Sequence, residues 1–311
     1  MNEVKIFCPA TIANLNCGFD ILGLCLEGIG DEMVIRKSIE KGIKITKIED
    51  ANLPFETTKN VAGVAGLAII EQLNLDFGFE IEIYKKIKAG SGIGSSSASA
   101  AGAVFGINEL IGNKFTKNEL VNFAMKGEAI ASGSEHADNV APCLLGNFTL
   151  IRGYNPLDII VIKSPIELYA VVLHPHIEVK TADARAVIEP NISLKLAITQ
   201  TGNLGGFIAG LYTNDYELIG RSLQDVIVEP FRKHLIPHFD LIKNGALQNG
   251  ALGAGISGAG PSIFALCKGK QTANNVANAM KNQYLKTNIG FDIHVSKINT
   301  KGTETITNKI M

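Results

Sequence analysis

Tryptophan is absent from the 311 residues, and cysteine is scarce: Cys8, Cys17, Cys25, Cys143 and Cys267. No two of them form a C-x-x-C pair. An odd, scattered set excludes a disulfide framework and a zinc ribbon, and fits buried or free thiols in a reducing compartment. No run of eighteen apolar residues occurs, which excludes a membrane-spanning helix. An excess of one charge is also missing. The 29 basic and 30 acidic residues give a net charge of −1, and without a basic patch nothing points to nucleic acid. The opening M-N-E-V-K-I carries neither a signal-peptide core nor a transit pattern, so a cytoplasmic location is expected. The sequon-like N-F-T at Asn147 and N-I-S at Asn191 are then chance matches. Repeats and low-complexity tracts are lacking.

What the chain has is apolar residues, at 46%, and 32 glycines. That composition describes a globular protein with ample core and many tight turns. Its length allows two domains, and a boundary is expected around Asp158 to Pro165.

The most informative stretch is Lys88 to Gly102, K-A-G-S-G-I-G-S-S-S-A-S-A-A-G. The alternating segment Phe79 to Lys85 before it predicts a half-buried strand. After it, Ala98 to Ile111 has helical spacing. A strand enters, a glycine loop turns, and a helix leaves. Gly90, Gly92 and Gly94 free the backbone to converge its N–H groups on one point. A helix start adds unpaired N–H groups and the positive dipole end. Ser95, Ser96 and Ser97 supply hydroxyls. The predicted guest is a nucleotide phosphate, against the alternative of a flexible Gly/Ser loop. Two familiar loops are excluded by spacing. A Walker loop needs Gly-Lys-Ser/Thr five residues after Gly90, where Ser95, Ser96 and Ser97 stand. A G-x-G-x-x-G fingerprint fails because Ser95 occupies the place of its third glycine.

Four further stretches carry polar groups among small or apolar neighbours. Pro9 to Leu26 places Asn14, Asn16 and Asp20 in an apolar run beside Gly18, where they either cap local backbone or serve a site. Gly127 to Pro142 packs Glu128, Ser134, Glu135, His136, Asp138 and Asn139 among small residues, as a ligand site or an ordinary loop. Val179 to Arg185 and Val226 to Arg232 bring Thr181, Arg185 and Arg232; Thr181 is expected to cap a helix, and on composition alone both arginines read as surface charges. Gly250 to Leu266 is a second glycine cluster between strands, and Ala259 rules out a G-x-S-x-G elbow there. Elsewhere, strands are expected at Val4 to Cys8, Asp31 to Arg36, Gly42 to Ile48, Phe148 to Arg152, Tyr169 to His174 and Gly290 to Val295. Helices are expected over Asn60 to Leu73 with Asn60 as N-cap, over Thr116 to Met125 with a Thr116–Glu119 capping box, and over Gly205 to Tyr212, Asp215 to Arg221 and Thr272 to Met280.

Three of these motifs together resemble the signatures of the GHMP small-molecule kinases: P-A-T-I-A-N-L-N-C-G-F-D-I-L-G, G-S-G-I-G-S-S-S-A-S and G-I-S-G-A-G-P-S. Within that superfamily the chain looks most like the members that act on homoserine. It shares A-N-L-x-x-G-F-D-x-L-G from Ala13 to Gly23, H-A-D-N-V-A-P from His136 to Pro142, T-A-x-A-R from Thr181 to Arg185 and E-P-x-R from Glu229 to Arg232. The resemblance covers nearly the whole chain. It departs at Asn16 and Cys17, where Gly-Pro is usual, and at Lys88, where the loop commonly opens on proline.

The resemblance implies an α+β fold of two domains. A ribosomal-S5-like N-terminal, nucleotide-binding domain (residues 1–160) would contain a left-handed β-α-β unit, and a ferredoxin-like C-terminal domain (residues 161–311) would close a cleft. It also implies transfer of phosphate from ATP to L-homoserine with Mg²⁺ in a homodimer. Carried over, the loop Lys88, Ala89, Gly90, Ser91, Gly92, Ile93, Gly94, Ser95, Ser96, Ser97 and Ala98 wraps the ATP phosphates, with Asn60 near the base. Ser96 and Glu128 hold Mg²⁺, with Ser95 next in line among the serines. Asn14, Asp20, His136 and Thr181 surround the acceptor, whose carboxylate Arg185 and Arg232 grip. Asn139, Glu128 and His136 are the expected catalytic set, and either Asp138 or Asn139 faces the substrate. The rivals are a kinase of the same superfamily acting on another alcohol, and a nucleotide-binding module without chemistry.

Overall fold

A computed structural model describes residues 2–306. Strands β1 (Glu3–Ala13), β2 (Leu22–Ser38) and β3 (Gly42–Glu49) open the chain, followed by α1 (Val61–Leu73), β4 (Gly78–Tyr84), α2 (Ser95–Leu110), α3 (Lys117–Ser132) and α4 (Val140–Leu145). Next come β5 (Phe148–Tyr154), β6 (Leu157–Ile162), β7 (Leu168–Pro175), α5 (Thr181–Ala186), α6 (Leu194–Thr213), α7 (Tyr216–Ser222) and α8 (Glu229–Arg232). The chain finishes with α9 (Phe239–Gln248), β8 (Gly253–Ile256), β9 (Ile263–Lys268), α10 (Lys270–Tyr284), β10 (Phe291–Lys297) and β11 (Glu304–Thr305).

The first sheet has the order β11-β1-β2-β4-β3, and β2 also pairs with β5, which pairs with β6. Besides β1, the seventeen-residue β2 serves two further neighbours: Leu22 to Leu24 face β5, while Glu32 to Ser38 face β4. β3 and β4 run parallel, joined through α1. Lying against β1 and β2, α2 is almost wholly buried. Its composition of Ala, Gly and Ser permits this close approach. A Cβ at Gly102 would stand 2.3 Å from Met33 Sδ, and one at Gly106 would stand 2.4 Å from Ile35 Cδ1. Tight packing on the sheet and on α1 and α3 fixes the N-terminal end of α2, where the glycine loop meets it.

The second sheet, β10-β7-β9-β8, is antiparallel throughout. Along β7 the side chains alternate between two cores. Val171 and Leu173 face α9 and α10, while Ala170 and Val172 join the larger core that contains β1, β2, α2 and α6. That continuous core fixes the two sheets against each other.

β11 returns from the C-terminal end of the described chain to the edge of β1, Ile6 opposite Thr305. An edge strand offers free backbone groups, and a two-residue strand leaves no periodic trace in sequence. The helix expected from Ala98 begins at Ser95, so the three serines form its first turn. Thr181 does not cap α5: Lys180 is the N-cap residue and no side chain caps that end.

Candidate active site

The glycine loop folds as its composition requires. Gly90, Gly92 and Gly94 have φ of 69°, 78° and 76°, a region that side-chain-bearing residues avoid. Space is missing as well. A Cβ at Gly92 would lie 2.5 Å from the Gly260 carbonyl oxygen, and one at Gly94 would lie 2.1 Å from Thr11 Oγ1. The second glycine cluster clamps the loop from behind: Ser257 Oγ donates to the Gly92 carbonyl (2.7 Å) and Ser262 Oγ to that of Ser91 (2.6 Å). The Ser91 hydroxyl is buried without a partner among the described residues.

Below the loop lies a buried ion pair that the sequence pattern did not single out. Lys85 pairs with Asp31 and donates to the Ser95 carbonyl (2.8 Å) and Ser99 Oγ (3.3 Å). Asp31 Oδ1 accepts from Lys86 N (2.7 Å) and Ile87 N (2.8 Å). Both ends of the loop are therefore tied to a single charge pair.

Glu128 sits on α3, which runs seven residues beyond the expected end at Met125. Ser96 Oγ donates to Glu128 Oε1 and Ser97 Oγ to Oε2, each at 2.9 Å. Burial pushes this carboxyl up to about 7, with the two hydroxyls pulling the other way. One carboxylate and one hydroxyl, both hard oxygens beside a phosphate loop, fit Mg²⁺, which usually takes one or two carboxylates and completes its shell with phosphate and water. No group of three or more His, Cys, Asp or Glu among the described residues could hold a metal by itself, so phosphate oxygens would have to contribute.

At the other end, Arg185 grips Asp20 with both terminal nitrogens, NH2 to Oδ1 at 3.0 Å and NH1 to Oδ2 at 3.1 Å. His136 Nε2 accepts from Arg185 NH2 (3.2 Å), which puts the imidazole proton on Nδ1, 4.0 Å from Asp20 Oδ2. Burial lowers the imidazole's proton affinity, so the ring is neutral. Arg232 is buried, donating from Nε to the Ala184 carbonyl (2.8 Å) and from NH1 to that of Gly258 (3.1 Å); burial lowers it to about 10. Both guanidiniums lie over the ring of Phe19, at 5.6 and 5.0 Å, within cation–π range. Tyr154 OH donates to the Asp20 carbonyl (2.8 Å) and accepts from Ala137 N (3.3 Å). Sequence reasoning missed Phe19 and Tyr154, since an aromatic inside an apolar run gives no sign of its orientation.

Backbone strain supports this end. Asn14, Leu15 and Asn16 take φ of 72°, 46° and 60°, and Asp20 takes 59°. Such a left-handed turn of non-glycine residues costs energy and persists only where contacts over-determine it. Here they do. Asn14 Nδ2 donates to the Gly258 carbonyl (2.8 Å) while its Oδ1 accepts from Asp20 N (2.9 Å). Asn16, at the position of the usual glycine, donates to the carbonyls of Leu223 (2.8 Å) and Ala254 (3.1 Å). The departure in sequence adds a cross-link between the two halves of the chain.

One cavity of about 540 Å³ joins both ends. Asn14, Asp20, Glu128, His136, Asn139, Thr181, Arg185 and Arg232 line it, as do Asn60 and the loop residues Ala89 to Gly92 and Gly94 to Ser97, without Ile93. Three loop positions do not. Lys88 is exposed and reaches Asp292 at 3.4 Å, Ile93 is buried with its carbonyl bonded to Thr11 N, and Ala98 is wholly buried in the first turn of α2. Asn60 is occupied as N-cap of α1 (Oδ1 accepting from Ala62 N at 3.0 Å) and as donor to the Pro54 carbonyl (2.7 Å). Leu53, Pro54, Val61 and Ile130 add an apolar end beside it. Asp138 and Asn139 both line the cavity. Asn139 Oδ1 accepts from Thr11 Oγ1 (2.7 Å), whereas the Asp138 carboxylate has no hydrogen-bond partner among the described residues. Burial, then the charges of Asp20 and Glu128, raise Asp138 to about 7.

Comparison with known proteins agrees with this geometry. Residues 58–147 match the GHMP kinases N terminal domain and residues 207–286 match the GHMP kinases C terminal domain. The chain is 47% identical to a homoserine kinase of Chlorobium phaeobacteroides (strain BS1), over 98% of this chain and 100% of that protein. It is 40% identical to one of Methanococcus vannielii, over 96% and 100%. The crystal structure of homoserine kinase from Cytophaga hutchinsonii superposes with a TM-score of 0.95 at 49% identity, covering 98% of each chain. The mevalonate kinase of L. major, at 17% identity and a TM-score of 0.70 over 94% of this chain and 96% of that one, shares the fold.

Proposed function

The chain belongs to the GHMP kinase family, and on that footing we propose that it transfers the γ-phosphoryl group of ATP to the side-chain hydroxyl of L-homoserine, giving O-phospho-L-homoserine and ADP. The observation that carries this reading is the shared cavity. A phosphate loop lines one end, and an Asp20, Arg185 and Arg232 set for a zwitterion lines the other. The reaction is a step of threonine biosynthesis, and five buried free thiols support a reducing cytoplasm as its setting.

Phosphoryl transfer needs alignment and charge stabilisation more than covalent help. Loop N–H groups and the start of α2 bind the phosphates, and the Lys85–Asp31 pair holds that loop in shape. Ser96 and Glu128 would hold Mg²⁺, which when bound neutralises phosphate charge. Arg232 and Arg185 take the substrate carboxylate, and Asp20 takes its ammonium, so Arg185 exchanges Asp20 for the substrate. Asn14 keeps Asp20 in place and Thr181 adds a hydroxyl to the same wall. Asn139 orients the reacting hydroxyl and His136, neutral, stays a hydrogen-bonding group. The hydroxyl proton passes to the phosphate without an ionised side-chain base. Residues 1–160 thus handle the nucleotide, and residues 161–311 supply the two arginines.

A family resemblance also suggests a homodimer, and the uncovered apolar side chains Leu194, Ile198 and Tyr212 on α6 support it. A monomeric mass in light scattering would exclude it. The reaction itself is tested by coupled ADP detection with L-homoserine set against L-serine, L-threonine and mevalonate. Turnover is expected with L-homoserine far above the others. A preference for mevalonate, or ATP binding without any turnover, would overturn the assignment.

A further inference from the structure

Five cationic side chains line the cavity: Lys59, Lys85, Lys180, Arg185 and Arg232. Four of them are committed. Lys59 pairs with Glu56 at 2.7 Å. Lys85 is held by Asp31, the Ser95 carbonyl and Ser99. Arg185 holds Asp20, and Arg232 donates to two main-chain carbonyls. Of these five, only Lys180 has neither an ion pair nor a side-chain hydrogen bond to the described residues, and it is exposed.

Its place in the chain matters more than its freedom. Glu178, two residues earlier, lies against the phosphate loop, where a Cβ on Gly90 would stand 2.9 Å from Glu178 Cγ. Thr181 follows directly, and Arg185 comes one helical turn later at the substrate end. Lys180 therefore occupies the short span between the phosphate loop and the carboxylate grip, which a transferred phosphoryl group must cross. Its backbone is extended, at φ −68° and ψ 136°, and Glu178 and Lys180 both line the cavity, with Val179 between them and Thr181 after. An acid beside Gly90 repels phosphate, and a cation two residues on offsets that repulsion. A flexible ammonium with three rotatable donors can follow a moving group, which a fixed guanidinium fork cannot.

We propose that Lys180 is a catalytic residue whose ammonium contacts the phosphoryl group in transit and stabilises the charge on its equatorial oxygens. This rests on the phosphoryl-transfer reading above. It adds no covalent step, only charge that counts most in the transition state.

The test uses the full chain with Lys180→Ala and Lys180→Arg, both at an exposed position where folding is checked by melting temperature. Expected for Lys180→Ala is a kcat lower by about 10²-fold, the lower end for losing one donor at a developing charge, with KM for L-homoserine within about twofold. Lys180→Arg keeps the charge without the rotatable ammonium and should recover only part of the rate. In calorimetry without acceptor, the preference for a non-hydrolysable ATP analogue over ADP should fall about tenfold in Lys180→Ala. A kcat within twofold of the parent, or equal losses for both nucleotides, would overturn the proposal, as would a raised KM for L-homoserine with kcat kept. If the parent chain shows no turnover of L-homoserine, the substrate assignment fails, while the nucleotide preference still judges Lys180.

Discussion

Asp20 and Arg185 neutralise each other at one end of the cavity, joined by a bidentate bridge at 3.0 and 3.1 Å. Each is assigned to one pole of the substrate, so binding is an exchange of partners: carboxylate for Asp20 on the arginine, ammonium for Arg185 on the aspartate. A neutral alcohol cannot make that exchange, and an acid without an ammonium would draw off Arg185 and leave Asp20 unpaired. Arg185→Lys removes the planar fork but keeps the charge. KM for L-homoserine should rise about 10- to 100-fold, in keeping with roughly 1.5–3 kcal/mol for hydrogen bonds to charged groups, with KM for ATP within about twofold. A parallel rise for both substrates in steady-state kinetics would mean that the arginine shapes the whole cleft instead.

Glu128 accepts from both Ser96 and Ser97 at 2.9 Å, so Glu128→Gln can keep the shape of that cluster while deleting its charge. The expected result is a loss of about 10²–10³-fold in kcat/KM, comparable to removing one electrostatic donor, and a higher Mg²⁺ concentration for half-maximal rate. Titrating Mg²⁺ at saturating ATP checks it. An unchanged kcat/KM would remove Glu128 from the metal site.

Lys85 and Asp31 have side chains 2% and 0% exposed, which decides between a helpful and a harmful deletion. Breaking a buried pair strands the surviving charge and costs about 3–5 kcal/mol, whereas replacing both members by apolar groups can be near neutral. Lys85→Met should therefore lower the unfolding midpoint in urea strongly and reduce ATP affinity, because the loop loses its tie at Ser95. Lys85→Met with Asp31→Leu should recover only part of the stability and none of the ATP affinity, since Lys86 N and Ile87 N lose their acceptor. Denaturation and calorimetry on the same samples separate the two effects.

What the sequence made legible follows from what is local. The positive φ of Gly90, Gly92 and Gly94 is a demand that only glycine meets cheaply, so the turn of the glycine loop can be read from composition. The Thr116–Glu119 capping box is equally local, and forms as expected. Contacts made across the chain left no such trace. Asp31 and Lys85 are separated by 54 positions, and each looks like an ordinary polar residue beside a strand. Phe19 under two guanidiniums, Ser257 and Ser262 on the loop carbonyls, and the return of β11 to β1 all depend on tertiary placement. Thr181 was misread for a related reason: the residue type favours a cap, but its neighbour's backbone takes that position.

Asp138 offers the sharpest pH test. The residue is 6% exposed and lines the cavity, and burial with the nearby Asp20 and Glu128 raises its carboxyl from an ordinary 3.8 to about 7. Between those values the folded chain holds a proton that the unfolded chain has lost, so stability from this group is present at low pH and declines as pH rises from about 4 through 7. Asp138→Asn deletes that dependence. The ligand-free variant should match the parent near pH 4 and exceed it in melting temperature near pH 8. Activity gives a second, independent reading. If the hydroxyl proton goes to the phosphate, the variant's kcat should fall modestly and its pH profile should keep the parent's shape. A loss near 10⁴-fold, at the upper end for general-base catalysis, together with disappearance of the acidic limb near pH 7, would make Asp138 the base and overturn transfer without one.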